Sequence, residues 1–287
     1  MGGTLYVVAT PIGNMGDMTS RGIDVLSSVD VIAAEDTRTS GVLLDKLGLD
    51  GQKLVAYHKF NEEAGASGLI RLLQEGKNIA LITDAGTPCV SDPGSILVRE
   101  AVNAGITVTA VPGASAVAAA ISISGFNTIA FSFFGFLPRK DGEIASVLER
   151  IKSEYSRVSV FYESPRRIKD SLKVMKKVIP EASLCLCNDL TKKFERIYRG
   201  SPAQVLEEIE ANPDYAKGEY AVVISLPEYE EEEKEAAVQS PELGILALVL
   251  EGATVREAAA ELISQGAFPK NDIKRAAIAI KERFEIE

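Results

Sequence analysis

Short apolar runs alternate with helical patterns over the first half of the chain. Leu5–Ala9, Val29–Ala34, Leu54–Tyr57, Ile79–Thr83 and Val108–Val111 are rich in aliphatic residues and end at polar or Gly/Pro positions, so they read as strands. Between them, Thr19–Ser28, Thr39–Leu47, Glu62–Gln74, Ser95–Ala104 and Ala114–Ser122 repeat apolar residues at helical spacing. Apolar strands separated by helices imply a largely parallel sheet covered on both faces.

A second unit begins near Ile129. Ala130–Phe136, Val158–Tyr162, Ser183–Cys187 and Tyr220–Ser225 read as strands, with helices at Glu143–Glu154, Ile168–Val178 and Pro202–Glu210. Residues 227–241 are acidic and without apolar periodicity, and so read as a linker. The remainder is helical, at Leu243–Leu250, Val255–Ser264 and Asn271–Phe284. Thr254 and Asn271 are the expected N-caps, Gly252 and Gly266 the expected stops. This tail reads as a small helix-turn-helix module or as a capping or dimerising lobe. The expected organisation is an α/β domain over 1–125, a second over 126–226, a linker over 227–241 and a helical tail over 242–287.

Composition narrows this picture. The chain has 287 residues, 46% of them apolar, enough to bury more than one core. No apolar run reaches the roughly 18–20 residues that span a bilayer. The chain opens directly on a strand, without a basic start and apolar h-region. A soluble cytoplasmic protein, with no membrane partner, is therefore expected. Three cysteines without CxxC spacing argue against a disulfide framework and against a zinc site, so no metal is expected. Cys185 and Cys187 should share one buried face of a strand. The net charge of −10 argues against nucleic acid for the chain taken whole. Between Arg166 and Arg199, however, lie Arg166, Arg167, Lys169, Lys173, Lys176, Lys177, Lys192, Lys193, Arg196 and Arg199, opposed only by Asp170, Glu181, Asp189 and Glu195. That stretch is either a basic face or a solvated helix surface.

The candidate chemistry gathers where strands end. Thr83-Asp84-Ala85-Gly86-Thr87-Pro88-Cys89-Val90-Ser91-Asp92-Pro93-Gly94 is a tight loop between a strand and a helix, the place where α/β proteins bind small molecules. Its two aspartates sit where exposed backbone amides could orient them, and a phosphate or a nucleotide would fit equally. Ala9 to Asp17 holds a glycine-rich loop that matches neither GxGxxG nor GxxxxGK[ST]. Glu35, Asp36 and Arg38 follow the second strand; charges there are costly in a core and natural in a cleft. His58, the only histidine, follows the third strand with Glu62 and is either a structural hydrogen-bonder or part of the site. Val111 to Ala116, Phe161 to Arg167 and Asn188 to Lys193 supply further polar strand ends.

In order, the strings ATPIGN (from Ala9), AEDTR (from Ala34), His58-Lys59-Phe60-Asn61-Glu62, TDAGTPCVSDPG (from Thr83), VPGASA (from Val111), FYESPRR (from Phe161) and DLTKKFE (from Asp189) resemble the tetrapyrrole methylase superfamily, and within it the 16S rRNA cytidine 2′-O-methyltransferases. The resemblance implies two α/β/α domains of the tetrapyrrole methylase type with a small C-terminal helical domain, S-adenosylmethionine in the cleft between the two, and a homodimer. It implies methyl transfer to the 2′-hydroxyl of a cytidine in 16S rRNA near the decoding centre. On this likeness Asp84, Ala85, Gly86, Thr87 and Pro88 hold the methionine part of the cofactor, and Pro11 approaches the methyl group. Ser115 and Ala116 open the helix beneath it, and Tyr162, Leu190 and Thr191 enclose the adenosine. Glu35, Asp36, His58 and Glu62 are the candidate proton acceptors, and Arg38 a candidate phosphate clamp. The stretch Arg166 to Arg199, with Arg139 and Lys140, would meet the small ribosomal subunit. The chain departs from the usual motif at Asn188-Asp189 and at Arg166. A tetrapyrrole C-methyltransferase and a non-catalytic RNA-binding assembly factor are the rival readings.

Overall fold

A computed structural model describes residues 2–154, 156–227, 240–266 and 268–284. Most of the expected linker, 228–239, lies outside the described residues. The chain divides into two compact units, Met1–Pro227 and Glu228–Glu287.

Five parallel strands, β1 (Thr4–Val8), β2 (Val31–Ala34), β3 (Leu54–Ala56), β4 (Ile79–Ile82) and β5 (Thr107–Val111), form the first sheet in the order β3-β2-β4-β1-β5. Alternation along each strand feeds two cores. Ala33, Ile79 and Leu81 pack with Leu69, Leu73 and Leu97 from α3 (Glu62–Gln74) and α4 (Ser95–Asn103). Ile32, Ala34 and Ile82 pack with Leu26 and Leu44 from α1 (Ser20–Ser28) and α2 (Thr37–Lys46). Burial on both faces is why the central strands β2 and β4 read as unbroken apolar runs. All five point their carboxyl ends to one edge, which places the polar strand-end strings side by side.

The second sheet comprises β6 (Phe131–Phe136), β7 (Val158–Glu163), β8 (Ser183–Asn188), β9 (Arg196–Gly200) and β10 (Tyr220–Ser225), in the order β6-β7-β10-β8-β9. Only β6 and β7 pair in parallel; the other three ladders are antiparallel. Helices α6 (Asp141–Lys152), α7 (Ile168–Val178) and α8 (Pro202–Ala211) cover one face. The other face is covered by α5 (Ala116–Ser124), whose Val117 and Ala120 pack on Val160, Cys185, Cys187 and Val223. Thus α5 follows the last strand of the first sheet but packs on the second. The two cysteines do share one face, with Sγ atoms 3.8 Å apart. Strand β9 is additional to the expected elements. Its Arg-Ile-Tyr-Arg-Gly sequence is too short and charged to stand out, and it lies at the sheet edge, where arginines discourage further pairing.

The tail forms α9 (Pro241–Leu250), α10 (Val255–Gln265) and α11 (Lys270–Phe284) around Ile245, Val255, Leu262, Ile273 and Ile280. Thr254 caps α10 in a reciprocal box with Glu257, and Gly266 ends it in the left-handed conformation, φ 70°. Asn271 is not an N-cap: it lies inside α11, because the Pro269 carbonyl already accepts from the Asp272 amide at 2.9 Å. Among the described residues, no helix is long and apolar enough to cross a membrane.

Candidate active site

Three loops at the carboxyl edge of the first sheet are laced together. Thr10, after β1, exchanges backbone hydrogen bonds with Gly86, after β4, at 2.9 and 3.0 Å. The Thr10 hydroxyl also donates to the Thr83 carbonyl at 3.1 Å. Thr87 Oγ1 donates to the carbonyl of Ala114, after β5, at 3.1 Å. Gly86 sits at φ 81°, and a Cβ there would lie 3.3 Å from Ile12 Cγ2. A glycine is needed to bring these loops so close.

The rest of the β4–α4 loop is held in uncommon backbone. Cys89 and Ser91 both have φ 70°, and Gly94 has φ 137°. Such conformations cost of order 1–3 kcal/mol each for side-chain-bearing residues and persist only where the surroundings impose them. Here the Gly94 amide donates to Glu62 Oε1 at 2.9 Å, and the Leu97 amide donates to the Tyr57 hydroxyl at 3.2 Å. The opposite wall has the same character. After β8, Asp189 has φ 53° and Thr191 has φ 68°, an unusual value for a β-branched residue. Lys192 Nζ bridges Asp189 and Glu219 at 2.8 and 2.9 Å. The Thr191 hydroxyl is buried without a hydrogen-bond partner.

Between these walls lies a cavity of about 360 Å³. Of the residues named from sequence, Glu35, Asp84, Ala85, Gly86, Thr87, Ser115, Ala116, Tyr162 and Leu190 line it. Pro11, Pro88, Thr191, Asp36, Arg38, His58 and Glu62 are not among its lining residues. The structure adds Asp92, Glu219 and apolar contacts from Ile12, Val90, Phe136 and Ala221. Asp92 was legible in the β4–α4 string. Glu219 has no local signature, because antiparallel β10 brings it between the ends of β7 and β8.

Electrostatics separates the candidate acids and bases. Asp36 caps α2, its Oδ1 accepting from the Arg38 amide at 2.8 Å, and its Oδ2 lies 2.7 Å from Arg38 Nη2. Those bonds from Arg38 hold the Asp36 carboxyl well below the usual range, which makes it a poor proton acceptor. Glu62 is committed to the Gly94 amide. His58 Nδ1 is buried without a partner, outside the cavity lining. Glu35 is raised, first by burial and then by the charges of Asp84 and Asp36. Asp84 is also raised by burial, although its Oδ1 accepts from the Asp36 amide at 3.2 Å. Burial and the charges of Glu35, Asp84 and Glu219 lift Asp92 to about 6. Burial lifts the Tyr162 hydroxyl to about 12, with Asp92 adding to it and the Val117 amide opposing.

The basic stretch is mostly exposed, but several of its cations are already paired within the fold. Arg167 Nη2 donates to buried Glu163 Oε1 at 2.5 Å and to the Leu137 carbonyl at 3.1 Å. Lys173 pairs with Asp170, and Arg199 Nη2 donates to the Ile123 carbonyl at 2.6 Å. Lys176 and Lys177 lie exposed in the last turn of α7. Asn188, where the motif departs, donates to the Lys217 and Glu219 carbonyls at 3.3 Å and so anchors the strand that carries Glu219.

A cavity walled by carboxylates, apolar side chains and tightly turned backbone fits a molecule with cationic and flat apolar parts, as S-adenosylmethionine has. Residues 4–206 match the family model of Tetrapyrrole (Corrin/Porphyrin) Methylases. The chain is 38% identical over 276 residues to a ribosomal RNA small subunit methyltransferase I of Bacillus subtilis (strain 168), covering 96% of this chain and 89% of that one. It is 43% identical over 230 residues to the namesake of Mesorhizobium japonicum, covering 80% and 77%. In fold it is similar to diphthine synthase, with TM-score 0.60 and 15% identity over 78% of this chain and 89% of that one. It is likewise similar to uroporphyrin-III C-methyl transferase from Thermus thermophilus complexed with S-adenyl homocysteine, with TM-score 0.52 and 16% identity over 78% and 97%.

Proposed function

From the premise that the chain belongs to the ribosomal RNA small subunit methyltransferase I family of the tetrapyrrole methylases, we propose that it methylates the 2′-hydroxyl of a cytidine in 16S rRNA near the decoding centre. It is an S-adenosylmethionine-dependent methyltransferase acting on rRNA. The observation that carries the finer reading is the cleft itself, with carboxylates on both walls beside an apolar floor.

When bound, S-adenosylmethionine supplies an electrophilic methyl group on a cationic sulfur. The laced loops of Thr10, Gly86 and Thr87 hold Asp84 to Thr87 rigid, and alignment of this kind is worth up to about 7–11 kcal/mol of barrier. Pro11 and Pro88 stiffen those loops from outside the cavity, and Thr191 shapes the far wall through its strained backbone. Ile12, Val90 and Leu190 make the floor apolar. The ribose proton passes to a cleft carboxylate, which confines the choice to groups such as Glu35 that line the cavity. Asp36 orients Asp84 through its amide and holds Arg38, whose exposed guanidinium suits a phosphate.

The RNA side of the reading rests on exposed aromatics beside lysines. Phe194 is 71% exposed with Lys193 Nζ 5.5 Å over its ring, and Phe60, beside Lys59, is 94% exposed. Single-stranded RNA is bound by such stacking platforms with adjacent cations. Ile129, Phe131 and Phe136 are exposed at edge strand β6, an apolar border that a second copy of the chain would cover in a homodimer. The protein would then act in the cytoplasm, on the small subunit.

Mass mapping of small-subunit rRNA incubated with the protein and S-adenosylmethionine tests the reading. The expected gain is one 2′-O-methyl group on a cytidine. Methylation of a base, or of a porphyrinogen in a parallel reaction, would overturn it. A companion prediction concerns Lys176→Glu with Lys177→Glu. Subunit binding should weaken, and the slope of log affinity against log salt should flatten by roughly one to two. Calorimetric cofactor affinity should stay unchanged. Filter binding across a salt series reads the slope.

A further inference from the structure

Asp92 is half-buried in the cleft wall, on the strained loop between β4 and α4. Its neighbours in sequence are fixed: Ser91 at φ 70°, then Pro93, then Gly94 with its amide bound to Glu62. It stands between the two walls. Glu35 and Asp84 act on it from the first sheet and Glu219 from the second, while Tyr162 and Cys89 feel its charge.

The other carboxylates here are already engaged. Asp84 accepts from the Asp36 amide, Glu219 from Lys192, and Glu163 from Arg167, Ser171 and the Ser164 amide. The Asp84 backbone lowers Glu35 against the effect of its burial. Among the described residues, no donor hydrogen-bonds the Asp92 carboxylate. A carboxylate kept half-buried, among like charges and without a donor is destabilised in its charged form, and it gains by accepting a proton.

We propose that Asp92 is the catalytic base: its carboxylate takes the proton from the ribose 2′-hydroxyl during methyl transfer. As the 2′-oxygen forms its bond to the methyl carbon, the sulfur–methyl bond breaks with its electron pair staying on sulfur. The hydroxyl proton ends on an Asp92 oxygen. The bulk solvent recovers that proton after the products leave. Glu35 acts as the positioning partner whose negative charge keeps Asp92 basic. With a value of about 6, Asp92 is mostly ionised at neutral pH and still a useful acceptor. This inference rests on the 2′-O-methylation reading.

Single-turnover methylation of unmodified small subunits, with saturating S-adenosylmethionine and across pH 5 to 9, tests it. The wild-type rate should rise through about pH 6 and then level. Asp92→Asn should lose about 10²–10⁴-fold in rate. It should also lose that inflection, while keeping its thermal midpoint and its calorimetric affinity for S-adenosylhomocysteine. Glu35→Gln removes a like charge and so should move the inflection to lower pH. A role in shaping the pocket alone would instead weaken cofactor affinity and leave the inflection in place. Asp92→Asn at the wild-type rate, or with the wild-type pH profile, overturns the proposal. If the wild-type protein puts no methyl on a ribose, the parent reading fails instead, and mass mapping of the same samples distinguishes the two results.

Discussion

Arg167→Ala should cost the full chain about 3–5 kcal/mol of stability, the typical penalty for stripping one partner from a buried ion pair. Glu163 is 1% exposed at the end of β7, and its carboxylate oxygens are surrounded by donors. Arg167 Nη2 reaches its Oε1 at 2.5 Å, Ser171 Oγ donates to its Oε2 at 2.6 Å, and the Ser164 amide donates to Oε1 at 2.6 Å. The same guanidinium closes the Leu137 and Pro138 carbonyls at 3.1 and 2.9 Å. Alanine would leave a buried carboxylate without its countercharge and two carbonyls without donors. Lysine should recover little, because a single ammonium cannot reproduce the planar fork that spans three acceptors. Adding Glu163→Gln to Arg167→Ala should restore a large part of the loss, since the uncompensated charge goes with it. Urea unfolding of the four proteins gives the coupling energy directly. Glu163 also lines the cleft, so cofactor affinity should fall with Arg167→Ala and return in part in the double variant.

Arg167 also shows where local sequence stops informing. In sequence it is one of ten cations in a basic run; in the fold it turns inward and serves β7. Lys192 is likewise partly buried between Asp189 and Glu219, while Lys173 and Arg199 stay exposed and are occupied by Asp170 and the Ile123 carbonyl. Charge counts do not record which way a side chain turns. The central strands β2 and β4 were legible because burial on both faces writes an unbroken apolar run, and Glu62–Gln74 falls where its periodicity predicts. The lacing of the loops after β1, β4 and β5 was legible as strand-end strings. Roles within those strings were not: Asp36 and Glu35 are adjacent, yet one caps α2 and the other lines the cleft. Glu219, Tyr220 and Ala221 were invisible for a different reason. They enter the cleft because Tyr220 pairs with Glu163 on one side and Asn188 on the other, an antiparallel register set by the whole sheet.

Gly94→Ala should be damaging on a comparable scale, and its damage should fall on the cofactor site. At φ 137° and ψ −27° this residue occupies backbone that side-chain-bearing residues rarely adopt. Space forbids the change as well. A Cβ would lie 2.7 Å from Leu81 Cδ2 and 2.8 Å from Cys89 Sγ. Leu81 is buried in the core beneath the sheet and cannot withdraw, so the loop must move. Strain and overpacking together predict a loss of about 2–6 kcal/mol. The displaced segment is the one that carries Asp92 and whose amide holds Glu62, so the calorimetric affinity for S-adenosylhomocysteine should fall along with the midpoint of thermal unfolding. Cys89→Ala in the same chain removes the Sγ contact but not the Leu81 contact or the backbone strain. It should therefore recover part of the loss and no more. Full recovery would mean that the cysteine alone had opposed the new methyl group; no recovery would mean that backbone conformation at Gly94 dominates.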